Sequence, residues 1–498
     1  MKRILLIILI AVAIILTVYP LLRPGFFISD DGGWMVIRLS AFYQSLREGQ
    51  FPVRFLGRLN YGYGYPVANF LYPGFMYIGS LIHLFGASFV DTVKIIMGGS
   101  VAIGTIFTYL WLRKYFSPRG STIGALGYSF APYLLFDLYR RGSVGEVFAL
   151  AIAAMGMYSI AAKKKWLFGL TVPLLILSHN TLAFIFLVFF GLYITFLGEW
   201  RRYFLMFVAG VAMGAFFWLP ALYERKYVIF DSIAVADPAD YFITVQNGLL
   251  LGTAGIVAAG ASLFKKKLYK KERKFFLISL GSVIFLTLPL SSFIWRMPLL
   301  THTVQFPYRF LSLAIIAQSW LTAYVVDSLK KSVQLAFIVL VIGLGLWGVF
   351  SIQSSVIYTN EPEGYYSTNE ATTTVADEYM PKWVSRKPTV HAYDRLLFYK
   401  GRGSVRVNTM STQTIDVTVD AAEESVIQVN SLYYPGWGAT LDDTKVRIDY
   451  SSDEGVMRIQ VPAGNHHLVV AFRETISRFL ADCVSLAGFV VYVIALFL

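Results

Sequence analysis

Apolar runs of about twenty residues recur along the chain from Ile4 to Leu498, separated by short polar breaks. A helix needs about this length to cross the hydrocarbon core of a bilayer. The pattern predicts spans near 4–22, 92–112, 120–136, 146–162, 166–178, 180–198, 203–222, 244–264, 274–290, 308–327, 332–352 and 476–498. A further run, 69–88, is interrupted by Pro73 and Gly74 and carries His83, so it predicts an incomplete crossing. Between residues 353 and 475 the apolar period changes to alternation, as in "SVRVNT", "TIDVTVD", "SVIQVNSLYY", "MRIQVPAG" and "HHLVVAFRE". The expected fold class is a polytopic α-helical membrane protein of about twelve to thirteen transmembrane helices. It carries a small antiparallel, sandwich-like β domain outside the membrane. The expected units are a membrane module over 1–352 with an external loop at 23–68, a β domain over 353–475, and a closing helix over 476–498.

Composition agrees. Of the 498 residues, 56% are hydrophobic and 15% charged, and the mean hydropathy is +0.59. Soluble domains carry about 25% charged residues. The net charge of +13 comes from short basic clusters between apolar runs, such as Lys163–Lys165 and Lys265–Lys267. Cytoplasmic loops beside anionic lipid show this pattern, and nucleic acid is not an expected partner. The basic opening runs into an oily stretch without a small-x-small cleavage site, which predicts an uncleaved first helix with its amino end inside. Cys483 is the single cysteine, so no disulfide forms within the chain.

With that orientation, polar stretches at helix ends gather on the outer side: "SDDGGW", "DLYRRGSVGE", "SHN", "YERKYVIFDS" and "THTVQFPYR". Ionisable groups at membrane depth are costly, so such groups are paired or functional. After Asp31, the residues Trp34, Ile37 and Ala41 share one helical face, which predicts an amphipathic helix along the interface with Asp30 and Asp31 at its start. The two acids read either as helix caps or as chemistry, and a cap needs only one. Next, "GQFPVRFLGRLNYGYGYPVANFLYPG" predicts an ordered external loop. In it, Tyr61, Tyr63 and Tyr65 suit sugar contact or the headgroup belt equally well.

These motifs, with "LSHNTLAF", "QFPYRFL" and "YYPGW" in the same order, resemble bacterial membrane proteins of the "6-pyruvoyl-tetrahydropterin synthase-related" group. Nothing here suggests pterin chemistry, since no His-rich zinc site is present. That group resembles in turn the YfhO-like and broader GT-C glycosyltransferases, multi-span enzymes that use polyprenyl-phosphate sugars. The resemblance implies a GT-C-like membrane module in which an acid of the first external loop is the base, here Asp31. Asp30 stands where relatives often have His, which leaves open both the choice between the aspartates and a divalent cation beside them.

The chemistry of such a transfer asks for a carboxylate to take the acceptor proton and cations to hold the leaving phosphate. Arginine matches phosphate best. Arg38, Arg141 and Arg309 are the candidates, with His179 beside them and Glu146, His302 and Gln305 in support. For Arg140 and Arg141 snorkelling is the alternative, for Glu146 a plain ion pair, and for His179 a helix-end role. The expected partners are a lipid-linked sugar donor, a cell-envelope glycan, lipid or protein as acceptor, and membrane lipid. The expected location is the cytoplasmic membrane, with the site and β domain extracytoplasmic. A flippase of lipid-linked glycans and a non-catalytic envelope-assembly protein are the competing functions. A transporter would scatter its charges near mid-membrane, whereas here they lie at helix ends.

Overall fold

The computed structural model describes residues 2–232, 237–264 and 269–497; the basic triplet Lys265–Lys267 lies outside the described residues. The chain opens with helices α1 (Lys2–Val18), α2 (Gly32–Arg47), α3 (Gly74–Leu84), α4 (Phe89–Leu112), α5 (Pro118–Ser129) and the single turn α6 (Pro132–Leu135). It continues with α7 (Val144–Ala161), α8 (Lys165–Ser178), α9 (Asn180–Leu197), α10 (Trp200–Met213), α11 (Ala215–Glu224) and α12 (Thr253–Leu263). The last helices are α13 (Lys270–Thr287), α14 (Pro298–Thr303), α15 (Leu311–Ser328), α16 (Lys331–Gln353), α17 (Glu363–Thr368) and α18 (Ile476–Phe497).

Among the described residues, seven helices are long and apolar enough to cross a membrane: α1, α4, α7, α9, α15, α16 and α18. The pair α10–α11, bent by 60°, makes an eighth if read as one span. The protein is therefore a multi-pass membrane protein. The full-length helices number fewer than the twelve or thirteen expected because several apolar runs fold short. Helices α3, α8 and α12 hold 11, 14 and 11 residues. At about 1.5 Å per residue they reach roughly 16–21 Å, against a hydrocarbon core of about 30 Å.

The break in α10–α11 has a local cause. Gly214 separates the two segments, and Pro220 inside α11 has no N–H to offer the Phe216 carbonyl. Arg54 Nη1 donates to that carbonyl instead, at 2.7 Å, and Ser485 Oγ accepts the Phe216 N–H at 2.6 Å. Helix α7 runs through the centre of the bundle and is almost wholly buried. Its Gly145 and Gly156 lie where a Cβ would strike Tyr72 and Phe190, so small residues permit the close approach.

Helix α2 departs from expectation. It was predicted to lie half-exposed along the interface, but its Met35–Phe42 stretch is buried all round. The connector between α16 and the β domain covers its polar side. Ser40 Oγ donates to the Tyr366 carbonyl at 2.9 Å, and Arg38 Nε donates to Thr373 Oγ1 at 2.9 Å.

Strands β1 (Phe26–Phe27) and β2 (Tyr358–Thr359) pair antiparallel and tie the end of the first helix to the end of α16. The β domain holds β3 (Leu396–Lys400), β4 (Gly403–Met410), β5 (Thr414–Ala421), β6 (Ser425–Leu432), β7 (Trp437–Leu441), β8 (Thr444–Val446), β9 (Val456–Val461) and β10 (Gly464–Phe472). Its five-stranded sheet runs β4-β5-β10-β7-β8 and its three-stranded sheet β3-β6-β9. Val417 and Val470 of one sheet share a buried core with Ile427 and Ile459 of the other, so the domain is a sandwich. The "YYPGW" turn buries Tyr434 and Trp437.

Tyr434 has a structural task. Its hydroxyl donates to Glu224 Oε2 at 2.9 Å, at the end of α11. Arg478, in the first turns of α18, donates to both oxygens of Glu224 at 2.7 and 2.8 Å, and Asn69 Nδ2 adds a bond of 2.9 Å. Glu224 and Arg478 are both buried, so this knot joins α11, α18, the external loop and the β domain. Removing one partner of a buried ion pair leaves an uncompensated charge. Arg478→Met should therefore lower stability by about 3–5 kcal/mol, and Glu224→Gln with Arg478→Met should recover most of that loss. Thermal denaturation in detergent, followed by tryptophan fluorescence, checks this. A single variant within about 1 kcal/mol of the parent would show that the knot does not hold the domains.

Candidate functional site

Two turns that are distant in sequence are zipped together. The Asp30 N–H donates to the Arg140 carbonyl at 3.0 Å and the Asp31 N–H to the Arg141 carbonyl at 2.8 Å. The second turn is a π-helical stretch, Phe136–Arg141, closed by Gly142 at φ +65°. A Cβ on Gly142 would lie 2.4 Å from Ser29 Oγ and 2.7 Å from the Gly32 nitrogen, so glycine is needed there on both counts. Ser29 Oγ accepts the Gly32 N–H at 3.2 Å at the start of α2, while the Asp31 side chain makes no capping bond. The helix-cap reading of Asp31 is thereby answered: its carboxylate is free for something else.

The wider π turn sends Asp137 and Arg141 to the same side. Arg141 Nη1 bonds Asp137 Oδ1 at 3.1 Å and also Glu146 Oε1. Glu146 is fully buried and gathers more partners: Arg309 Nε at 3.0 Å, His179 Nε2 at 3.5 Å and the Tyr133 hydroxyl at 3.1 Å. Arg309 Nη1 reaches the Val304 carbonyl and Gln305 Oε1, both at 2.9 Å. His179 Nδ1 accepts the Leu182 N–H at 3.2 Å, so this histidine does end a helix, as the N-cap of α9, and also faces Glu146. Arg141 Nη2 lies 3.9 Å from Asp31 Oδ2.

Above this cluster opens a cavity of about 570 Å³. Asp31, Arg38, Arg141, His179, His302, Gln305 and Arg309 all line it, and Glu146 is buried beneath. The other predicted residues lie elsewhere. Asp30 turns outward to Arg140 at 4.0 Å, with side chains 56% and 72% exposed, because successive residues at a turn point in different directions. Tyr61 and Tyr63 do not line the cavity, and Tyr65 is fully buried between the Thr374 hydroxyl and the Tyr379 N–H. Tyr65 thus packs the external loop against the connector and cannot contact a sugar.

The connector was missed as a contributor. Thr374, Val375, Glu378 and Tyr379 line the cavity beside Asp31. Tyr379 stacks on Phe70 at 5.0 Å and on Phe230 at 5.8 Å, and burial pushes its phenol up to about 12, so it stays a neutral donor. Arg225, Asn180 and Tyr72 complete the polar lining. The "YERKYVIFDS" and "SHN" stretches had pointed to two of these segments. The "TTTVADEY" stretch lay within the segment assigned as the β domain and was not singled out. Among the described residues, no group of three or more His, Cys, Asp or Glu side chains is arranged to hold a metal ion.

The chain is similar to several solved structures. The mycobacterial arabinofuranosyltransferase AftD is 16% identical, with 71% of this chain and 27% of that chain covered and a TM-score of 0.51. The fold is GT-C-like. At that identity the likeness speaks for the GT-C-like fold alone, and this chain spans about a quarter of the arabinofuranosyltransferase. ArnT from Cupriavidus metallidurans, bound to undecaprenyl phosphate, is 16% identical over 72% of this chain and 67% of its own, with a TM-score of 0.45. The Archaeoglobus fulgidus oligosaccharyltransferase AglB, in complex with an inhibitory peptide and a dolichol-phosphate, is 13% identical over 74% and 56%, with a TM-score of 0.41. No protein-family model matches the chain, and no curated protein matches it significantly in sequence.

The cavity draws its lining from seven separate stretches of the chain, which a single opening brings to one side of the membrane. Single cysteines at Ser143, Asn180, Gln305 and Val375, in a background with Cys483 replaced by Ser, should all react with an impermeant maleimide added from that same side. Labelling of the Ser143 position only from the opposite face would separate the turns that the structure zips together.

Proposed function

We propose that the protein is a membrane glycosyltransferase that moves a sugar from a polyprenyl-phosphate donor to a cell-envelope acceptor, with inversion, at the outer face of the cytoplasmic membrane. One observation carries this reading. The Asp31 carboxylate accepts no hydrogen bond from the described residues, is about one-third exposed, and borders a cavity whose other charged lining is mainly arginine. The motifs shared with the pterin-synthase-related group and the GT-C-like fold support the same reading.

The cavity has two characters. Phe184, Leu187, Val211 and Leu222 from α9, α10 and α11 form an apolar side, and Leu222 is 62% exposed. This side suits the chain of a lipid carrier, with its phosphate at the polar end. Of the arginines there, Arg141 and Arg309 are already paired with Glu146, and Arg225 with Asp231. Arg38 is buried and, among the described residues, bonds only neutral groups: Thr373 Oγ1, the Thr373 carbonyl and the Met35 sulfur. A buried cation without a counter-charge is costly, so Arg38 is the arginine that gains most from an arriving phosphate.

In this reaction Asp31 removes the acceptor hydroxyl proton while the acceptor oxygen attacks the anomeric carbon from the face opposite the phosphate. The bond from the anomeric carbon to the phosphate oxygen breaks, and the lipid phosphate leaves with the electron pair. Arg38, with Arg141 behind it, stabilises the charge that develops there. Asp30, exposed and outside the cavity, is not part of this step.

The test is to incubate purified protein with a panel of polyprenyl-phosphate sugars and follow release of the lipid phosphate. Asp31→Asn should lower transfer by about 10²–10⁴ and leave donor binding and folding intact, since loss of a general base costs about that much. Arg38→Ala should instead raise the donor KM by about tenfold or more, as expected for losing a hydrogen bond to a charged group. Near-normal turnover by Asp31→Asn would remove the base from this mechanism. Bound donor that is carried but never cleaved would point to a flippase.

A further inference from the structure

The acidic groups around the cavity raise a question of chemistry. Asp31, Asp137 and Glu146 each approach the Arg141 guanidinium at a site proposed to handle phosphate, where carboxylates are the usual ligands of Mg²⁺ or Mn²⁺. Here they do not fit such an ion. The Arg141 guanidinium stands among the three, with Nη1 on Asp137 and Glu146 and Nη2 facing Asp31 at 3.9 Å. Carboxylates binding Mg²⁺ must close to about 2.1 Å from the metal, which these cannot do unless the guanidinium leaves. It is held against leaving: Arg141 is buried, its ring neighbour Tyr308 lies 5.5 Å from Cζ, and the backbone zip to Asp30 and Asp31 fixes its turn.

We infer that Arg141 takes the place of a divalent cation in this site, and that Asp137 is the positioning residue that keeps it there. Asp137 is fully buried, and its Oδ2 has no hydrogen-bond partner. A carboxylate so poorly satisfied is retained at a cost, and the only cation it touches among the described residues is Arg141. With Nη1 shared between two buried acids, the guanidinium cannot rotate, so Nη2 is presented to the cavity beside Asp31. A cation fixed 3.9 Å from the base holds positive charge at the edge of the cavity beside the departing phosphate, the task a metal would perform. Mobile metal and fixed arginine differ in one respect: the arginine cannot be chelated.

The inference rests on the glycosyltransferase reading only for its consequence in turnover; its structural part can be tested without any activity. Electron paramagnetic resonance of purified wild-type protein titrated with Mn²⁺ should show no bound ion at tens of micromolar. Arg141→Ala, which removes the guanidinium that all three acids contact, should bind one Mn²⁺ per chain, and adding Asp137→Asn should abolish that binding. In the transfer assay, EDTA and added Mn²⁺ or Mg²⁺ should change the wild-type rate by less than twofold. Asp137→Asn should lower kcat more than tenfold with a smaller change in the donor KM, and Asp137→Glu should restore part of it. Wild-type protein that binds one Mn²⁺, with the binding lost in Asp31→Asn, would overturn the inference whether or not transfer is found. So would a folded Arg141→Ala protein that takes up no Mn²⁺. If Arg141→Ala does not fold, the wild-type titration alone decides.

Discussion

A single buried carboxylate organises this protein. Glu146 sits in the first turn of the central helix α7, away from solvent, and is met by Arg141, Arg309, His179 and Tyr133. Each partner arrives on a different element: the π turn, the turn before α15, the junction of α8 and α9, and α6. A carboxylate in that position is tolerable only while these donors converge on it, so four connections are bound to one another by the need to satisfy one charge. The cavity is what remains on the far side of the same arginines. Its shape is thus a by-product of neutralising Glu146, which is why the lining residues of distant stretches appear together.

How far was this readable in the sequence? The bundle was, because apolar length is a local property, and "AVAIILTV" or "LVFFGLYITF" needs no partner to declare itself. The acid-and-arginine set was, because charges beside oily runs are rare and must be accounted for. The environment of α2 was not. Its interfacial reading followed correctly from its own pattern, but Ser40 and Arg38 are satisfied by backbone and side chains 326 and 335 residues away. No local period announces a cover of that kind. Tyr65 failed for the same reason: its hydroxyl is consumed by Thr374 and Tyr379, 309 and 314 residues on. The split between Asp30 and Asp31 also needed coordinates, since adjacent identical side chains differ only in where the turn aims them.

Broken helices follow a rule that the sequence states only in part. Pro220 shows that a carbonyl will be left over, but not that Arg54, in the external loop, will take it. Arg54 also pairs with Glu474 at 3.2 Å and Asp482 at 3.4 Å, so the repair of one helix fixes the start of α18 and, with it, the exit of the β domain. The Glu224–Arg478 knot lies on the same two helices. Two buried arginines thereby hold the β domain's rear connection, while the connector through Thr373 and Tyr379 holds its front. The β domain is clamped from both ends of its own chain.

The arginines of the cavity differ in what they have left to give, and this decides how the site works. Arg141 is paired with Glu146 and Asp137 and Arg309 with Glu146, so both are held immobile and act on the cavity as fixed charge. Arg38 has only neutral partners, and two of its three contacts are to a single residue of the connector, Thr373, which sits at φ +62°. An anion binding Arg38 competes with Thr373 for the same donors, whereas one approaching Arg141 must displace a buried carboxylate. The first exchange costs little and the second a great deal. Binding charge and fixed charge are therefore carried by different residues, and Asp31 borders the same cavity, 3.9 Å from the fixed one.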